Sequence, residues 1–253
     1  MQQRLEIAGL TDVGRVRQQN EDAIGWEQAI GLVLLADGVG GRAAGEVASR
    51  MAIDTITTSL RAGLVPEQTP GAETGHDPGV PALVQAAVRH ANAAIYDSKR
   101  QVPEYQGMAT TVVVALFEPN RVTVSHAGDS RLYRMRGDAF VQLTEDHTLV
   151  RELVLSGYMT EQEAAVSGHR HIITRALGVG AEIPVEVQQH QSCPGDLYLL
   201  CSDGLTSMLS DQDIATNIGR TGQGLPALAR QLVDLANAQG GYDNVSVVLV
   251  RVP

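Results

Sequence analysis

The sequence has few cysteines and no long hydrophobic run. Its longest apolar stretches, 31–36 and 110–117, are far shorter than the roughly 20 residues that a helix needs to cross a bilayer. The first residues carry one basic side chain and no apolar core, unlike a secretion signal. Cys193 and Cys201 predict neither a disulfide framework nor a zinc site. We therefore expect a cytoplasmic protein with no membrane span.

Basic residues are also scarce. The chain has 19 Lys and Arg against 29 Asp and Glu, a net charge of -10, and shows no basic block. Such a chain repels nucleic acid and anionic membranes, so neither is an expected partner. The acidic surplus has two interpretations: the carboxylates form a solvated surface, or some of them face inward around cations. Composition leaves both open.

Apolar spacing predicts a chain of mixed α and β structure. Stretches with helical periodicity occur at 44–52, 84–95 and 225–233. Runs rich in β-branched residues, which predict strands, occur at 32–36, 110–117, 121–125, 131–135, 196–201 and 244–250. Short turns at 118–120, 127–129 and 136–138 predict that successive strands pair antiparallel. We therefore expect an α+β fold, in which two antiparallel sheets are covered by helices.

Two segments interrupt this pattern. Residues 63–81 hold four prolines and four glycines, so they predict a surface loop between two helices. Residues 144–178 contain a capping box, in which Thr160 caps a helix and Glu163 lies at its third position. We interpret 144–178 as a small helical flap. No repeat or linker divides the chain, so 1–253 is expected to form a single domain.

Several aspartates occur at or beside the ends of strand-like runs, next to small or turn-forming residues. They are Asp22, Asp37, Asp129, Asp203 and Asp243. Each alone could serve turn chemistry. If their strand ends converge, however, mutual repulsion would raise their pKa values unless cations neutralise them. Oxygen ligands without histidine or cysteine favour Mg²⁺ or Mn²⁺ over zinc. Gly38 would let a backbone carbonyl approach such an ion closely.

Five ordered blocks carry a resemblance to a known family. They are TDVGRVRQQNEDA (11–23), LLADGVGG (34–41), HAGDSR (126–131), CSDGL (201–205) and GYDNVSVV (241–248). Together they resemble the PPM, or PP2C-type, metal-dependent serine/threonine protein phosphatases in their shorter bacterial form. The resemblance covers nearly the whole chain. It implies an α-β-β-α sandwich and hydrolysis of phosphoserine and phosphothreonine by a metal-bridged hydroxide.

The resemblance also implies a set of metal ligands. Asp37 would bridge two Mn²⁺ or Mg²⁺ ions, and the carbonyl of Gly38 would complete one of them. Asp203 and Asp243 would hold the other ion. Asp22 would act through bound water in the outer shell, and Asp129 would join Asp203 in holding a weaker third ion.

Arg17 stands five residues before Asp22, where the family places the arginine that binds substrate phosphate. A guanidinium suits this task because it is always charged and offers paired donors. Glu21 could join the water-mediated shell or be a surface residue. The implied reaction is in-line attack on phosphorus without a phosphoenzyme.

The sequence departs from the family pattern at two positions near the aspartates. Eukaryotic relatives have a histidine after the Asp-Gly pair, proposed as general acid, where this chain has Val39, so the general acid is unassigned. His147 is an alternative acid, but a packed structural role is the better interpretation for it. Arg42 could favour acidic phosphopeptides or face solvent.

The flap and the partners are further expectations from the resemblance. Arg151, His169 and Arg170 are candidate recognition residues, whereas the spacing of His169 and His171 is taken as chance. The partners would be phosphorylated proteins and a cognate serine/threonine kinase, and a monomer is expected. The alternative function is a catalytically inactive relative that binds phosphoproteins.

Overall fold

The computed structural model describes residues 4–40, 44–64, 79–219 and 223–253. Its strands are β1 (Glu6–Asp12), β2 (Asp22–Glu27), β3 (Leu32–Val39), β4 (Ala109–Thr110), β5 (Val112–Glu118), β6 (Arg121–Ala127), β7 (Arg131–Arg136), β8 (Ala139–Gln142), β9 (Val187–Gln191), β10 (Leu197–Cys201) and β11 (Val245–Arg251). Its α-helices are α1 (Ala44–Leu64), α2 (Gly79–Gln101), α3 (Leu149–Leu155), α4 (Glu161–Val166), α5 (Asp203–Thr206), α6 (Asp211–Ile218) and α7 (Leu225–Ala238).

The strands form two antiparallel sheets. The first sheet has the order β1-β11-β10-β7-β8, and the second has the order β2-β3-β5-β6-β9, with β4 paired to β3. Every ladder in both sheets is antiparallel. The predicted pair of antiparallel sheets is therefore confirmed.

Three apolar layers hold the sheets and helices together. One lies between the sheets and includes Val33 and Leu35 of β3 and Val248 of β11. Because side chains alternate along a strand, the next residues of β3 point the other way and pack against α1 and α2. On the opposite side, α5, α6 and α7 cover the outer face of the first sheet. This is the α-β-β-α sandwich that the resemblance implies.

The strongly periodic stretches are helical, as predicted. They lie in α1, α2 and α7, and the capping box of Thr160 and Glu163 begins α4. The predicted loop at 63–81 is shorter at both ends, because α1 continues to Leu64 and α2 begins at Gly79. Residues 65–78 lie outside the described residues. In the described part of the chain, no helix is long and apolar enough to span a membrane.

The prediction of a hairpin at 127–129 is wrong. β6 pairs with β5 and β9 in the second sheet, whereas β7 pairs with β10 and β8 in the first. A short link limits how far apart two strand ends are, but it does not require the strands to share a ladder. Gly128 makes the crossing possible: its φ is 106°, and a Cβ there would lie 2.5 Å from the side chain of Thr111.

Candidate metal centre

The five predicted aspartates lie together at one end of the sandwich. Asp22 and Asp37 are direct neighbours in the ladder between β2 and β3. Asp129 lies in the crossing between the sheets, Asp203 begins α5 after β10, and Asp243 precedes β11. Burial raises the pKa of Asp37 well above its usual range, and the charges of the other four raise it further. The sandwich thus brings the five carboxylates into one electrostatic cluster.

Two threonines hold the backbone of Asp37. The hydroxyl of Thr110 and the backbone amide of Thr111 donate to the Asp37 carbonyl at 2.9 and 2.8 Å, and the Asp37 amide donates to the Thr111 hydroxyl at 3.0 Å. The bonds come from the break between β4 and β5, inside the predicted strand 110–117. They leave the Asp37 side chain free to face the cluster.

Asp22 is buried, and only one of its two carboxylate oxygens accepts hydrogen bonds. Ser202 and Ser246 donate hydroxyl hydrogen bonds to its Oδ2 at 2.8 and 2.6 Å. Its Oδ1 is buried without a hydrogen-bond partner among the described residues. Burial raises the pKa of Asp22 to about 7 in spite of the two hydroxyls, and the charges of Asp203 and Asp243 add to the rise.

Asp129, in the crossing between the sheets, has a similar environment. It is 8% exposed, and its Oδ1 also has no partner within the described ranges. Burial raises its pKa to about 7, and the charges of Asp203 and Asp146 contribute. The neighbouring Ser130 hydroxyl lies 2.7 Å from that of Thr111, which ties the Asp129 loop to the threonines behind Asp37.

Asp203 and Asp243 complete the cluster. Burial and then the charge of Asp243 raise the pKa of Asp203. Asp243 accepts a hydrogen bond from Arg17 Nη2 at 2.7 Å and one from the Asn244 amide at 2.9 Å. The side chains of Arg17 and Asp243 are 54% and 36% exposed, so this ion pair stands at the open edge of the cluster.

Gly38 is required by its surroundings. A Cβ there would lie 2.2 Å from the carbonyl oxygen of Gly45 in α1 and 2.6 Å from that of Glu21. The Gly38 amide donates to the same Glu21 carbonyl at 3.1 Å. The glycine therefore lets β3, the start of α1 and the segment before β2 meet next to Asp37. The sequence analysis did not foresee this packing role.

The residues present fit hard divalent cations. The cluster offers carboxylate oxygens, two of them buried and unpartnered, and its carboxylates raise one another's pKa values. Cations would relieve both costs. Among the described residues, no three His, Cys, Asp or Glu side chains form a closed set of metal ligands.

Sequence reasoning missed Asn244, which holds the loop that carries Arg17. The side-chain amide of Asn244 donates to the carbonyls of Val13 and Gln19 at 3.0 and 2.9 Å. Its Oδ1 accepts from the Glu21 amide at 2.8 Å. The only signal in the sequence was a polar residue directly before an apolar strand. Its burial, at 6% exposed, is visible only in the structure. Ser202 and Ser246 were missed in the same way.

His147 lies in a packed histidine pair. Its ring stacks on that of His126 with centroids 4.5 Å apart and an angle of 8° between the planes. The Gly128 amide donates to its Nδ1 at 3.2 Å, and Arg175 Nη1 lies 3.3 Å from its Nε2. Burial and these neighbouring charges lower the pKa of His147 to about 4. The ring is therefore neutral at pH 7, which fits the structural interpretation.

Val39 occupies the position where eukaryotic relatives have the proposed general acid. It ends β3, and 45% of its surface is exposed. It has no proton to donate. Arg42 lies outside the described residues. Of the positions considered within the described residues, neither Val39 nor His147 is suited to protonate a leaving group.

A cavity of about 870 Å³ separates the flap segment 144–178 from the first sheet and opens beside Asp129 and Asp203. Arg151 and Arg170 line it, but His169 does not. Arg151 is engaged in ion pairs with Glu145 and Glu161, both at 2.6 Å. Arg170 makes no ion pair with any described carboxylate.

His171 also lines this cavity.

Comparison with known proteins gives consistent matches over most of the chain. A family model described as Protein phosphatase 2C matches residues 14–240. Serine/threonine protein phosphatase PstP of Mycobacterium tuberculosis is 38% identical over 250 residues, which cover 98% of this chain and 45% of that protein. The chain therefore spans less than half the length of this curated relative. A putative protein phosphatase 2C-type protein of Streptococcus pyogenes is 36% identical, with 98% of this chain and 97% of that protein covered.

Solved structures share the fold as well. The crystal structure of the catalytic domain of PstP in complex with two manganese ions superposes with a TM-score of 0.82 at 38% identity. The match covers 98% of this chain and 98% of that chain.

Proposed function

Because this chain belongs to the protein phosphatase 2C family, we propose that it hydrolyses phosphoserine and phosphothreonine in proteins with the help of divalent cations. The observation that carries this proposal is the cluster of five aspartates with two buried, unpartnered carboxylate oxygens. Such a cluster is costly in a folded protein unless cations bind to it. The manganese ions in the PstP structure support the same chemistry here.

The proposed ligands are those that the resemblance implies. Asp37 and the carbonyl of Gly38, with Asp203 and Asp243, would hold two Mn²⁺ or Mg²⁺ ions. Asp22 would act through water, and Asp129 with Asp203 would hold a third ion. When bound, such ions lower the pKa of a water and offset charge on phosphoryl oxygens.

Arg17 would bind the substrate phosphate. Its guanidinium already stands at the open edge of the cluster, held by Asp243 at 2.7 Å. A cation at Asp243 would compete for that carboxylate and free the guanidinium to form paired hydrogen bonds with phosphate oxygens. Asn244 would set the reach of Arg17 by fixing the loop 13–21. Solvent would protonate the leaving alkoxide, since neither Val39 nor neutral His147 can.

The substrate protein would lie along the cavity below the flap. Arg170, which has no carboxylate partner among the described residues, and His171 would contact groups beside the phosphorylated residue. Arg151 would instead hold the flap in shape through Glu145 and Glu161. We take residues 1–253 as one catalytic domain that acts as a cytoplasmic monomer and opposes a serine/threonine kinase.

The experiment is phosphate release from a phosphothreonine peptide by the purified protein, with Mn²⁺, Mg²⁺ or EDTA. Activity should require the metal, and Asp203→Ala should lower kcat by about a hundredfold or more, since it removes a ligand of the reaction centre. Asp138→Ala, in the exposed turn between β7 and β8, is the matched control and should retain activity.

The alternative, an inactive relative that binds phosphoproteins, predicts a different outcome. The folded protein would then bind both the metal and the peptide without releasing phosphate. Every aspartate of the cluster and Arg17 are present, which favours the active enzyme.

A further inference from the structure

The sandwich has an open side between its edge strands β8 and β9. In the ladder of the first sheet, Arg134 of β7 is opposite Tyr198, whose ring lies in the apolar layer between the sheets. In the second sheet, His190 of β9 is opposite Val122, which lies in the same layer. Because paired residues share a face, Arg134 and His190 face each other across the space between the sheets. Val141, opposite Arg134 on β8, is 44% exposed, so this space is open to solvent.

The carboxylate at this place is already paired with another arginine. Asp196 accepts two hydrogen bonds from Arg136, both at 2.7 Å, and its side chain is fully buried. The Cys193 amide donates to it at 2.9 Å, and the Tyr198 hydroxyl lies 3.3 Å away. Asp196 therefore compensates the charge of Arg136 and forms no ion pair with Arg134 among the described residues.

Arg134 is left with weak contacts. It forms no ion pair with any carboxylate in the described ranges, and its one hydrogen bond, to the Gln191 carbonyl, is long at 3.4 Å. Arg136 donates to the same carbonyl at 2.9 Å, so both guanidinium groups lie beside the end of β9. Burial lowers the pKa of the His190 imidazole, and the nearby charge of Arg134 lowers it further.

Three groups that can donate hydrogen bonds are buried around this point. Nε of Arg134 and Nε2 of His190 have no partner among the described residues. Oγ of Ser192 has no hydrogen bond of good geometry, although the Tyr198 hydroxyl lies close enough to interact with it. Ser192 is 3% exposed and follows Gln191, whose carbonyl both arginines contact. Buried donors without acceptors are costly, and a group that satisfied several of them would bind favourably.

We propose that Arg134, His190 and Ser192 form a binding site for a small oxyanion such as phosphate, separate from the metal centre. A water molecule could accept two of these hydrogen bonds, but it would leave the charge of Arg134 uncompensated. A phosphate offers several acceptor oxygens and the opposite charge. A groove of about 510 Å³ lies next to His190 and is also lined by Gln191, Arg121 and Glu118, whereas Arg134 and Ser192 do not line it.

This site is distant from the aspartate cluster. His190 pairs with Val122 at the start of β6, whereas Asp129 follows the other end of that strand at Ala127. Five residues of strand correspond to about 17 Å. An oxyanion here would therefore bind without contacting Arg17 or the metal ligands. Inorganic phosphate and a phosphoryl group on a peptide share the required chemistry.

The test is a titration of the metal-free, ¹⁵N-labelled protein with inorganic phosphate at constant pH and ionic strength, read by NMR at the ring nitrogens of His190. We expect saturable shifts of the His190 signals that chloride does not produce. Arg134→Gln should weaken this binding by about tenfold or more, because it removes a charge-assisted contact. Arg251→Gln, which changes an exposed strand arginine paired with Glu6, is the matched control and should leave binding unchanged.

Ser192→Ala provides a second variant in case Arg134→Gln does not fold, and it should also weaken phosphate binding. A phosphothreonine peptide that shifts His190 at lower concentrations than free phosphate would identify a phosphorylated chain as the source of the oxyanion. His190 signals that ignore phosphate, or that respond equally in the variants and the wild type, would overturn the proposal. Loss of catalytic activity plays no part in this readout, so the proposed function can fail or stand independently.

Discussion

At the residue scale, the state of each aspartate in the cluster depends on its neighbours. Asp129 shows this most simply, because its Oδ1 has no partner among the described residues and burial holds its pKa near 7. In an unfolded chain the same group titrates at its ordinary value of 3.8. A raised folded pKa contributes stability below pH 3.8 that is lost as the pH rises through 7. Without metal, the charged Asp129 is therefore a destabilising group at pH 8.

We predict that Asp129→Asn stabilises the metal-free protein at pH 8 by about 2 kcal/mol. The amide keeps the shape of the side chain and removes the buried charge. Urea denaturation in EDTA measures the difference, with Asp138→Asn in an exposed turn as the control that should change little. An Asp129→Asn protein that is less stable than the wild type would refute the electrostatic account of this position.

The His126–His147 stack makes a second prediction, on acid stability. His147 has a folded pKa of about 4, below its ordinary 6.5, so its contribution to stability is present above pH 6.5 and is lost as the pH falls towards 4. The ring faces His126 and Arg175, whose charges oppose its protonation, and Glu186 and Asp146, which favour it. Burial lowers the pKa of His147 by more than the charges of Glu186 and Asp146 raise it.

Replacing His147 by Gln should therefore flatten the fall in unfolding free energy between pH 6.5 and pH 4. Chemical denaturation across this range measures the slope, and His169→Gln, at an exposed position in the flap, serves as control. An unchanged slope in His147→Gln would mean that the buried ring does not control acid stability.

At the element scale, periodicity predicted the long helices α1, α2 and α7 and the central strands, but not the short helices α5 and α6 or the edge strands. β9 has the sequence VQQHQ, in which four polar residues hide any alternation, because an edge strand with an open side needs few apolar contacts. β1 contains Gly9, where a Cβ would lie 2.8 Å from Ile24 and 2.9 Å from Trp26. A glycine that close packing requires lowers the strand signal that a sequence can show.

The loop 13–21 makes a prediction at the same scale. Asn244→Ala would leave the carbonyls of Val13 and Gln19 and the amide of Glu21 without their partner, so it should destabilise the metal-free protein by about 3 kcal/mol. Because the loop carries Arg17, KM for a phosphopeptide should rise in the same variant.

The control for this prediction is Gln212→Ala, which changes an exposed amide side chain of α6 and should alter stability by no more than about 0.5 kcal/mol. Asn244→Ala with wild-type stability and KM would show that the three hydrogen bonds do not hold the loop.

At the scale of the whole molecule, the site depends on how the two sheets are stacked. The sequence predicted all five aspartates and their place near strand ends, but spacing alone could not show which ends meet. The crossing at 127–130, mistaken for a hairpin, brings Asp129 of the connection between the sheets to the same end as Asp22 and Asp37. Asn244, Ser202 and Ser246 could not be predicted either, because their partners are distant in the chain.

The most direct test of the central claim, that these aspartates form a divalent metal centre, is a calorimetric titration of Mn²⁺ into the metal-free protein and into Asp37→Asn. The account predicts at least two bound ions per wild-type chain. It also predicts that Asp37→Asn, which lacks the proposed bridging carboxylate, binds Mn²⁺ at least about tenfold more weakly. Equal binding by the folded Asp37→Asn protein, or no binding by the wild type, would contradict it.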